Sequence, residues 1–238
     1  MWERLREQVR YGWLHPRYLA QRELRNFVAS EGRVALHGKL LDIGCGNRPY
    51  TKYLPNVMCY TGVDMPGSMH GPKHADVLAS ALALPFADAS FDSLLCTEVL
   101  EHLRDPVAAL REMARVARPG ARLLLTVPLS EQLHEEPEDY CRFTCHWLRH
   151  LLSSNGWKPD KVEPRGGAWL EIGYRLSSLL YSTFGATREA NGRLKPRALL
   201  GPPIILLCSA VQITSSAVDA LIPNPLSTIG YGVIATRM

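Results

Sequence analysis

One stretch near residue 40 constrains the fold more than any other part of the sequence. Residues 40–50 read Leu-Leu-Asp-Ile-Gly-Cys-Gly-Asn-Arg-Pro-Tyr. An apolar run that encloses one acidic residue and then meets two glycines predicts a buried strand ending in a tight turn. Glycine has no side chain and tolerates positive φ, so the backbone of such a turn can approach a bound ligand closely. An ordinary strand-to-helix turn made of small residues explains the same pattern.

A second apolar run ends at a carboxylate at a matching distance along the chain. Residues 57–63 lead into Asp64, which follows Gly44 by twenty positions. Neighbouring parallel strands place their C-terminal ends side by side, so the glycine turn and Asp64 are expected to face one crevice, where a carboxylate can hold ribose hydroxyls. Pro49 occupies the position of the third glycine in the dehydrogenase pattern. A nicotinamide oxidoreductase on a similar sheet is therefore the less favoured alternative.

Four motifs in order carry a resemblance to a known family. They are residues 41–46, Asp64, residues 83–92 and residues 99–103. Together they resemble the class I S-adenosylmethionine-dependent methyltransferases, most closely the small-substrate branch with Leu-Pro-Phe, Ser-Phe-Asp and Leu-Glu-His motifs. The motifs run from about residue 39 to residue 127. The resemblance implies an α/β fold with a Rossmann-like seven-stranded sheet, and S-adenosylmethionine as methyl donor.

The resemblance also implies which residues bind the cofactor. They are Asp42, Gly44, Cys45, Gly46, Asp64, Asp76, Ser80, Ala81 and Thr97. The first four would surround the methionine portion, Asp64 the ribose hydroxyls, and Thr97 would abut the cofactor. The adenine contact stays open between the Asp76 carboxylate and the Ser80-Ala81 backbone. Asp76 lies eight residues before Leu84, farther than is usual in the family.

The loop after the fifth predicted strand is where acceptor chemistry is expected. Residues 138–144, Glu-Asp-Tyr-Cys-Arg-Phe-Thr, resemble a stretch of family members from polysaccharide and lipid-sugar pathways. An alcohol acceptor would need a base within hydrogen-bond reach, and His134 is the first candidate, with Asp139 second. Arg142 could hold an anionic substrate group or pair with a nearby glutamate. A solvated acidic loop that anchors the next helix is the structural alternative.

A nearby group of cysteines and histidines predicts no metal site. Cys141, Cys145, His146 and His150 match no usual zinc spacing. A helix beginning near residue 144 would point Cys145 and His146 in different directions, with Cys141 before the helix and His150 one turn past His146. Thr144 as the N-cap of that helix and an apolar face behind it explain the stretch without metal.

The predicted elements form one domain over residues 1–238. Its parts are a helical lid at 1–38 with helices near 2–11 and 16–30, a cofactor-binding core at 39–165, an apolar helical insertion at 166–226 and a final antiparallel strand within 227–238. Within the core, strands are predicted at 75–78, 90–96, 121–127 and 157–165. A helix is predicted to begin at Asp105-Pro106, with Ala117 on its apolar face and Pro119-Gly120 ending it.

Two segments raise the question of membrane contact. In residues 204–222, Ser209, Gln212, Ser216 and Asp219 fall on one helical face, and mostly apolar residues, Cys208 among them, line the other. This pattern suits an amphipathic helix over a core, a pocket or a membrane surface better than a transmembrane span. The arginine- and aromatic-rich residues 1–38 fit a lid, a packed helix pair or an anionic membrane contact.

Composition excludes some classes of partner. The net charge of +4 comes without a dense Lys/Arg run or an RNA-binding signature, so no nucleic acid partner is expected.

Residues 1–6 lead into no apolar signal region, and the six cysteines are scattered. The expectation is a cytoplasmic protein with reduced thiols, and contact with the membrane surface is the open alternative.

The sequence therefore predicts methyl transfer from S-adenosylmethionine to a small-molecule or lipid-linked acceptor. An oxygen of a sugar or glycolipid is the preferred acceptor atom, because of residues 138–144. Methylation of a prenylated quinone or another lipid is the alternative, suggested by the apolar insertion. A cofactor-binding scaffold without turnover is a further alternative from a different class.

Overall fold

A computed structural model describes residues 12–66, 74–185 and 201–238. The helix predicted near residues 2–11 lies outside these ranges. The chain divides into two compact units. We call Leu24–Glu163 with Gly230–Met238 the sheet unit, and Met1–Glu23 with Pro164–Ile229 the helical unit. The division into a lid, a core and an insertion within one domain stays a prediction.

One seven-stranded sheet forms the centre of the sheet unit. Its strands are β1 (Gly38–Ile43), β2 (Val57–Asp64), β3 (Val77–Leu78), β4 (Phe91–Thr97), β5 (Ala117–Pro128), β6 (Trp157–Arg165) and β7 (Gly230–Arg237). Their order is β3-β2-β1-β4-β5-β7-β6. Strands β1 to β5 pair in parallel, and β7 is antiparallel to β5. The predicted seven-stranded Rossmann-like sheet with an antiparallel last strand is confirmed.

The central strands are mostly apolar, and both faces of the sheet are covered. Alternate residues belong to different cores: Leu94 and Cys96 of β4 lie in the larger one, and Leu95 lies in the smaller one. This is the arrangement expected of parallel strands buried on two sides. Phe27 of helix α1 (Tyr18–Ala35) contributes to the smaller core.

Two helices pack on the other face, and both begin at the predicted caps. They are α2 (Pro106–Val116) and α3 (Cys145–Ser153). Asp105 accepts a hydrogen bond from the Ala108 amide at 2.8 Å, and Thr144 accepts one from the Trp147 amide at 3.3 Å. Each cap satisfies an amide at the first turn that has no partner within the helix.

The prediction was wrong about the end of α2 and the start of β5. Helix α2 ends at Val116, and Ala117 is the first residue of β5 rather than part of the helical face. The Pro-Gly pair lies inside the strand: Gly120 has φ +81, and the pairing of β4 with β5 shifts register between Phe91 and Ser93. A bulge therefore accommodates residues that were expected to separate two elements.

Smaller boundary differences occur at two other strands. Strand β3 has only two residues instead of the predicted four, and β4 runs one residue later than predicted. Strand β6 has the predicted bounds, and it lies at the sheet edge, where Pro159 and Pro164 need not donate to a ladder.

The helical unit contains two long helices, α4 (Ala168–Phe184) and α5 (Gly201–Leu221). Helix α5 begins at Gly201 rather than at residue 204, because prolines are tolerated in the first turn, where no intrahelical bond is lost. The assignment of Cys208 to the apolar side was also wrong. Cys208 is fully buried, and its thiol donates to the carbonyl of Ser177 on α4.

A close contact between α1 and β7 provides a test of the sheet unit. A Cβ added at Gly232 would overlap the ring of Phe27, which is buried. We expect Gly232→Ala to lower the free energy of unfolding by about 2 kcal/mol, as overpacking does in a tight core. Chemical denaturation measures the change.

The double variant Gly232→Ala with Phe27→Leu supplies the control. Removing the ring should relieve the overlap, so the two substitutions together should cost less than the sum of their separate effects. Additive losses would contradict the proposed contact.

Candidate functional site

The glycine bend closes directly onto the neighbouring strand. Gly44 and Gly46 both have positive φ, +72 and +48. The amides of Gly44 and Cys45 donate to the carbonyl of Val63 at 2.9 and 3.0 Å. These bonds tie the turn after β1 to the end of β2, so the bend and the end of β2 form one rigid edge.

Asp64 is the second part of this edge. Its Oδ2 accepts a hydrogen bond from the Gly46 amide at 3.0 Å, and its Oδ1 accepts one from the Met65 amide at 2.8 Å. The side chain is mostly buried, with 8% of the residue exposed. The predicted convergence of the glycine turn and the strand-end carboxylate is therefore present as a direct contact.

Asp42 lies beneath the bend as a buried carboxyl group. Its Oδ2 accepts a hydrogen bond from the Tyr60 hydroxyl, and its Oδ1 has no hydrogen-bond partner in the part of the chain that the structure describes. Burial raises the pKa of Asp42 to about 7, although Tyr60 and Arg48 lower it in part. Burial also raises the pKa of the Cys45 thiol to about 11, so this cysteine is not a nucleophile near neutral pH.

Arg48 contacts one acidic and one aromatic side chain beside the bend. Its Nη2 lies 2.6 Å from Asp76 Oδ2, and its guanidinium carbon lies 4.9 Å from the centre of the Tyr60 ring. Asp76 Oδ2 also accepts the Gly62 amide at 2.8 Å, and these hydrogen bonds lower the pKa of Asp76. In this structure the Asp76 carboxylate binds Arg48 and the Gly62 amide. A contact between Asp76 and the adenine of the cofactor stays a prediction.

The other predicted cofactor residues lie at the same sheet edge. Ala81 is buried, and the Ser80 hydroxyl accepts a hydrogen bond from the Leu82 amide at 3.1 Å. Thr97 is the last residue of β4, next to β1. Glu98 follows it with φ +53, a conformation that is unfavourable for residues other than glycine and is often found at functional sites.

The loop after β5 brings the two candidate bases together. Asp139 binds the guanidinium of Arg142 through both oxygens, at 2.5 and 2.8 Å. Its Oδ2 also accepts the His134 amide at 3.1 Å and lies 3.3 Å from His134 Nδ1. The Arg142 contact lowers the pKa of Asp139 to about 2. Asp139 is therefore a weak base, and Arg142 pairs with it rather than with a glutamate.

A second histidine lies against the first. The rings of His102 and His134 meet edge to face with their centres 4.8 Å apart. His102 Nδ1 lies 2.6 Å from the carbonyl of Glu138, and His134 Nδ1 lies 3.1 Å from that of Gln132. We assign the proton to Nδ1 in both rings, because a carbonyl can only accept; this leaves each Nε2 able to take a proton.

The same histidines also form the described group best suited to a metal. Donor atoms of His102, His134 and the buried Glu101 all lie within 4.8 Å of one another. Two imidazoles and a carboxylate are ligands that zinc accepts. The sequence prediction of no metal concerned a different group, the cysteines and histidines of residues 141–150.

Three residues of this edge were missed by the sequence analysis. Arg48 and Tyr60 surround Asp42, and His102 faces His134. Of these three residues, only His102 is part of a recognisable sequence motif, Leu-Glu-His. The Tyr60 hydroxyl reaches Asp42 because β1 and β2 pair in their observed register, and Arg48 lies over the Tyr60 ring.

The comparison with known proteins agrees with this geometry. Residues 41–125 match the family model described as a methyltransferase domain. The matched segment contains the glycine bend, Asp64 and the Leu-Glu-His motif at the positions described above. Residues 41–125 therefore carry the core of a class I S-adenosylmethionine-dependent methyltransferase domain. The predicted resemblance to this family is confirmed.

Solved structures resemble this chain in fold. A methyltransferase from Archaeoglobus fulgidus superposes with a TM-score of 0.53 and 16% identity, covering 90% of this chain and 94% of that one. The [4+2]-cyclase SpnF gives a TM-score of 0.54 and 19% identity, covering 92% of this chain and 81% of that one. At these identities the structural similarity establishes the fold alone, so the reaction has to be inferred from the residues of the site.

Two curated relatives give the sequence comparison. The demethylmenaquinone methyltransferase of Mycobacterium marinum is 32% identical over 139 residues, which is 55% of this chain and 60% of the relative. An O-methyltransferase of Aspergillus sclerotiorum is 32% identical over 118 residues, 44% of this chain and 45% of the relative. The chain thus matches about half the length of these methyltransferases.

The described residues fit the cofactor of this class. The buried Asp42 Oδ1, which has no partner among the described residues, can accept from a donor that the cofactor supplies. The Val99 side chain lies against Gly44, so a side chain added at this glycine would overlap it. Asp64 offers carboxylate oxygens to a ribose at the end of β2, while Thr97 ends β4 beside β1. These assignments to individual groups of S-adenosylmethionine are our expectation.

The ribose assignment is tested by removing its carboxylate. We expect Asp64→Ala to weaken binding of S-adenosylhomocysteine by about tenfold or more, since hydrogen bonds to charged groups contribute about 1.5–3 kcal/mol. Isothermal titration calorimetry measures the affinity.

Asp92→Ala is the matched control for this variant. Asp92 also accepts a backbone amide, that of Lys39, and pairs with Arg118 at the opposite end of the sheet. This control should lose stability but keep the affinity. Equal affinities of Asp64→Ala and the wild type would contradict the assignment.

The raised pKa of Asp42 predicts a pH dependence of cofactor binding. S-adenosylmethionine carries sulfonium and ammonium groups, so its binding favours the ionised carboxylate and lowers the pKa of Asp42 below about 7. Affinity should therefore fall as pH decreases through 7, by about tenfold between pH 8 and pH 6. Titrations at these pH values measure it.

Asp42→Asn separates this effect from titration of the cofactor itself. The variant should bind more weakly at pH 8 and show a flatter profile, because its side chain does not ionise. An unchanged pH profile in Asp42→Asn would contradict the role given to Asp42.

Proposed function

We propose that the protein transfers the methyl group of S-adenosylmethionine to a hydroxyl oxygen of a small or lipid-linked acceptor, with His134 as general base. The observation that supports this is the position of His134. It lies in the loop that leaves β5, at the sheet edge where the glycine bend leaves β1, because β1, β4 and β5 are parallel neighbours.

The proposal assigns a separate task to each group of the loop. Bound S-adenosylmethionine supplies an activated methyl group, so positioning provides much of the rate. An alcohol is a poor nucleophile until it loses its proton, and His134 Nε2 can accept that proton. Asp139, 3.3 Å from His134 Nδ1, then stabilises the imidazolium. Arg142 keeps Asp139 ionised and in place. This makes Asp139 a positioning residue rather than the second base.

A sugar or glycolipid is the acceptor that we favour. The Asp-Tyr-x-Arg-Phe-Thr resemblance supports it, and Tyr140 of that motif is 40% exposed, with the Arg104 guanidinium donating to its hydroxyl at 2.9 Å. An exposed aromatic ring beside a cation suits a sugar that carries an anionic group. The match to an O-methyltransferase agrees with oxygen as the acceptor atom.

A prenylated quinone is the second candidate acceptor. One relative is named a demethylmenaquinone methyltransferase, and its match covers 60% of that protein. Such an acceptor would be apolar and held in a membrane. A cytoplasmic protein working at the membrane surface would reach either acceptor.

Labelled methyl transfer tests the proposal. We expect the full-length protein with methyl-labelled S-adenosylmethionine to place label in a membrane-lipid extract, as a methyl ether on a sugar. His134→Gln should lower kcat by about 10²–10⁴-fold, the usual contribution of a general base. His146→Gln on α3, an exposed histidine, is the matched control and should keep full activity.

Three results would contradict parts of this proposal. Label on a quinone ring would replace the sugar acceptor. Unchanged kcat in His134→Gln would remove the base, and loss of activity on treatment with EDTA would indicate that the two histidines hold a metal instead. Tight binding of S-adenosylhomocysteine with no labelled product in lipid or soluble extracts would favour a scaffold without turnover.

A further inference from the structure

Helix α5 exposes an apolar surface without a charged residue. We call this surface the outward face of α5. Its exposed residues are Pro203, Leu206, Leu207, Ala210, Ile213, Thr214, Ala217, Ala220 and Leu221. Leu206 is 64% exposed and Ile213 is 53% exposed. Among the described residues, α5 is also the helix long and apolar enough to cross a membrane by length and composition.

The polar residues of α5 point into the helical unit instead. Gln212 is fully buried; its Oε1 accepts from the Leu19 amide and its Nε2 donates to the His15 carbonyl, both at 3.2 Å. Ser209 donates to the Trp13 carbonyl at 2.9 Å. A helix packed in water buries its apolar stripe and exposes its polar one. Helix α5 does the reverse.

Helix α4 continues the pattern. Its exposed apolar residues recur at helical spacing: Trp169, Ile172, Leu176 and Leu179. We call them the outward face of α4. Arg175 is exposed at the border of this face, where a long side chain can keep its charge in water while its stem lies on apolar surface.

Small residues bring the two helices together. Gly173 of α4 lies so close to Ser215 of α5 that an added Cβ would overlap it. One turn further, the Ser177 hydroxyl donates to the Cys208 carbonyl and the Cys208 thiol donates to the Ser177 carbonyl, both at 3.3 Å. Small residues with hydrogen bonds across the contact are typical of helix pairs in lipid, where apolar burial between helices contributes little.

We propose that the outward faces of α4 and α5 lie against the hydrocarbon of an anionic lipid bilayer. Residues 186–200, between the two helices in sequence, carry four basic residues against one acidic residue, a net charge of +3. A basic segment next to an apolar helix is complementary to anionic headgroups. This inference does not rest on the proposed reaction.

The contacts of α5 favour contact with one leaflet over a transmembrane span. The Arg22 guanidinium donates to the Ser216 hydroxyl at 3.1 Å, and Arg22 also pairs with Glu23. A span would carry these charges to the depth of the hydrocarbon, which is costly. A helix pair lying in the interface leaves them on its water-facing side.

Co-flotation with vesicles tests the inference. We expect the full-length protein to float with vesicles of phosphatidylglycerol and phosphatidylcholine, and less with phosphatidylcholine alone. Leu206→Glu with Ile213→Glu should lower the partition coefficient by about tenfold or more, because the double variant removes two apolar side chains from the hydrocarbon. Val34→Glu with Met58→Glu is the matched control, because these residues are 82% and 84% exposed on the sheet unit.

Tryptophan quenching keeps the test independent of the folding of the glutamate variants. Brominated lipids should quench Trp169 on the outward face of α4, so Trp169→Phe should lose most of the vesicle-dependent quenching and Trp147→Phe should keep it. Trp147 is 48% exposed on α3. The affinity for S-adenosylhomocysteine should be the same in all variants.

Several outcomes would overturn the inference. These are a wild-type protein that does not float, equal flotation of the two glutamate pairs, and quenching unchanged by Trp169→Phe. A dimer seen by light scattering that Leu206→Glu with Ile213→Glu dissociates, without flotation of the wild type, would assign the face to a second copy of the chain.

Discussion

A buried carboxyl group, that of Asp42, sets the conditions for the whole cofactor edge. Burying a charge without a full set of partners is unfavourable, so the pKa of Asp42 rises to about 7. Tyr60 supplies one hydrogen bond and Arg48 supplies an opposite charge, while Asp76 holds Arg48 in position. These contacts leave the charge of Asp42 only partly compensated, which favours binding of a cation. A ligand that brings a positive charge to the bend would stabilise the ionised form of the Asp42 carboxyl group.

The parallel sheet is what makes such a cluster possible. Because β1, β2, β4 and β5 are parallel, the residues that follow these strands leave the sheet at the same edge. The bonds from Gly44, Cys45 and Gly46 to the end of β2 fix the bend. The loop after β5 carries a second, separate network built on the Asp139–Arg142 pair. Under the proposed function, cofactor binding and proton transfer from the acceptor would thus depend on different loops of one sheet.

The apolar runs and turn residues predicted the parallel strands and the convergence of the glycine turn with Asp64 at one edge. The seven-stranded sheet and its antiparallel last strand were implied by the family resemblance. The sequence analysis missed Arg48 and Tyr60, whose contacts depend on strand register. It misplaced Ala117, since a Pro-Gly pair can form a bulge as well as end an element. It identified the polar stripe of α5 but not its direction: side-chain spacing defines two faces, and only packing decides which one is buried.

A crystal structure of the protein with bound S-adenosylhomocysteine tests the central claim most directly. The account predicts the nucleoside in the crevice between residues 44–46 and the end of β2, with its ribose hydroxyls on the Asp64 carboxylate and its amino acid portion beside Asp42. A crevice filled by protein side chains, or a ligand bound with Asp64 turned away from it, would contradict the account.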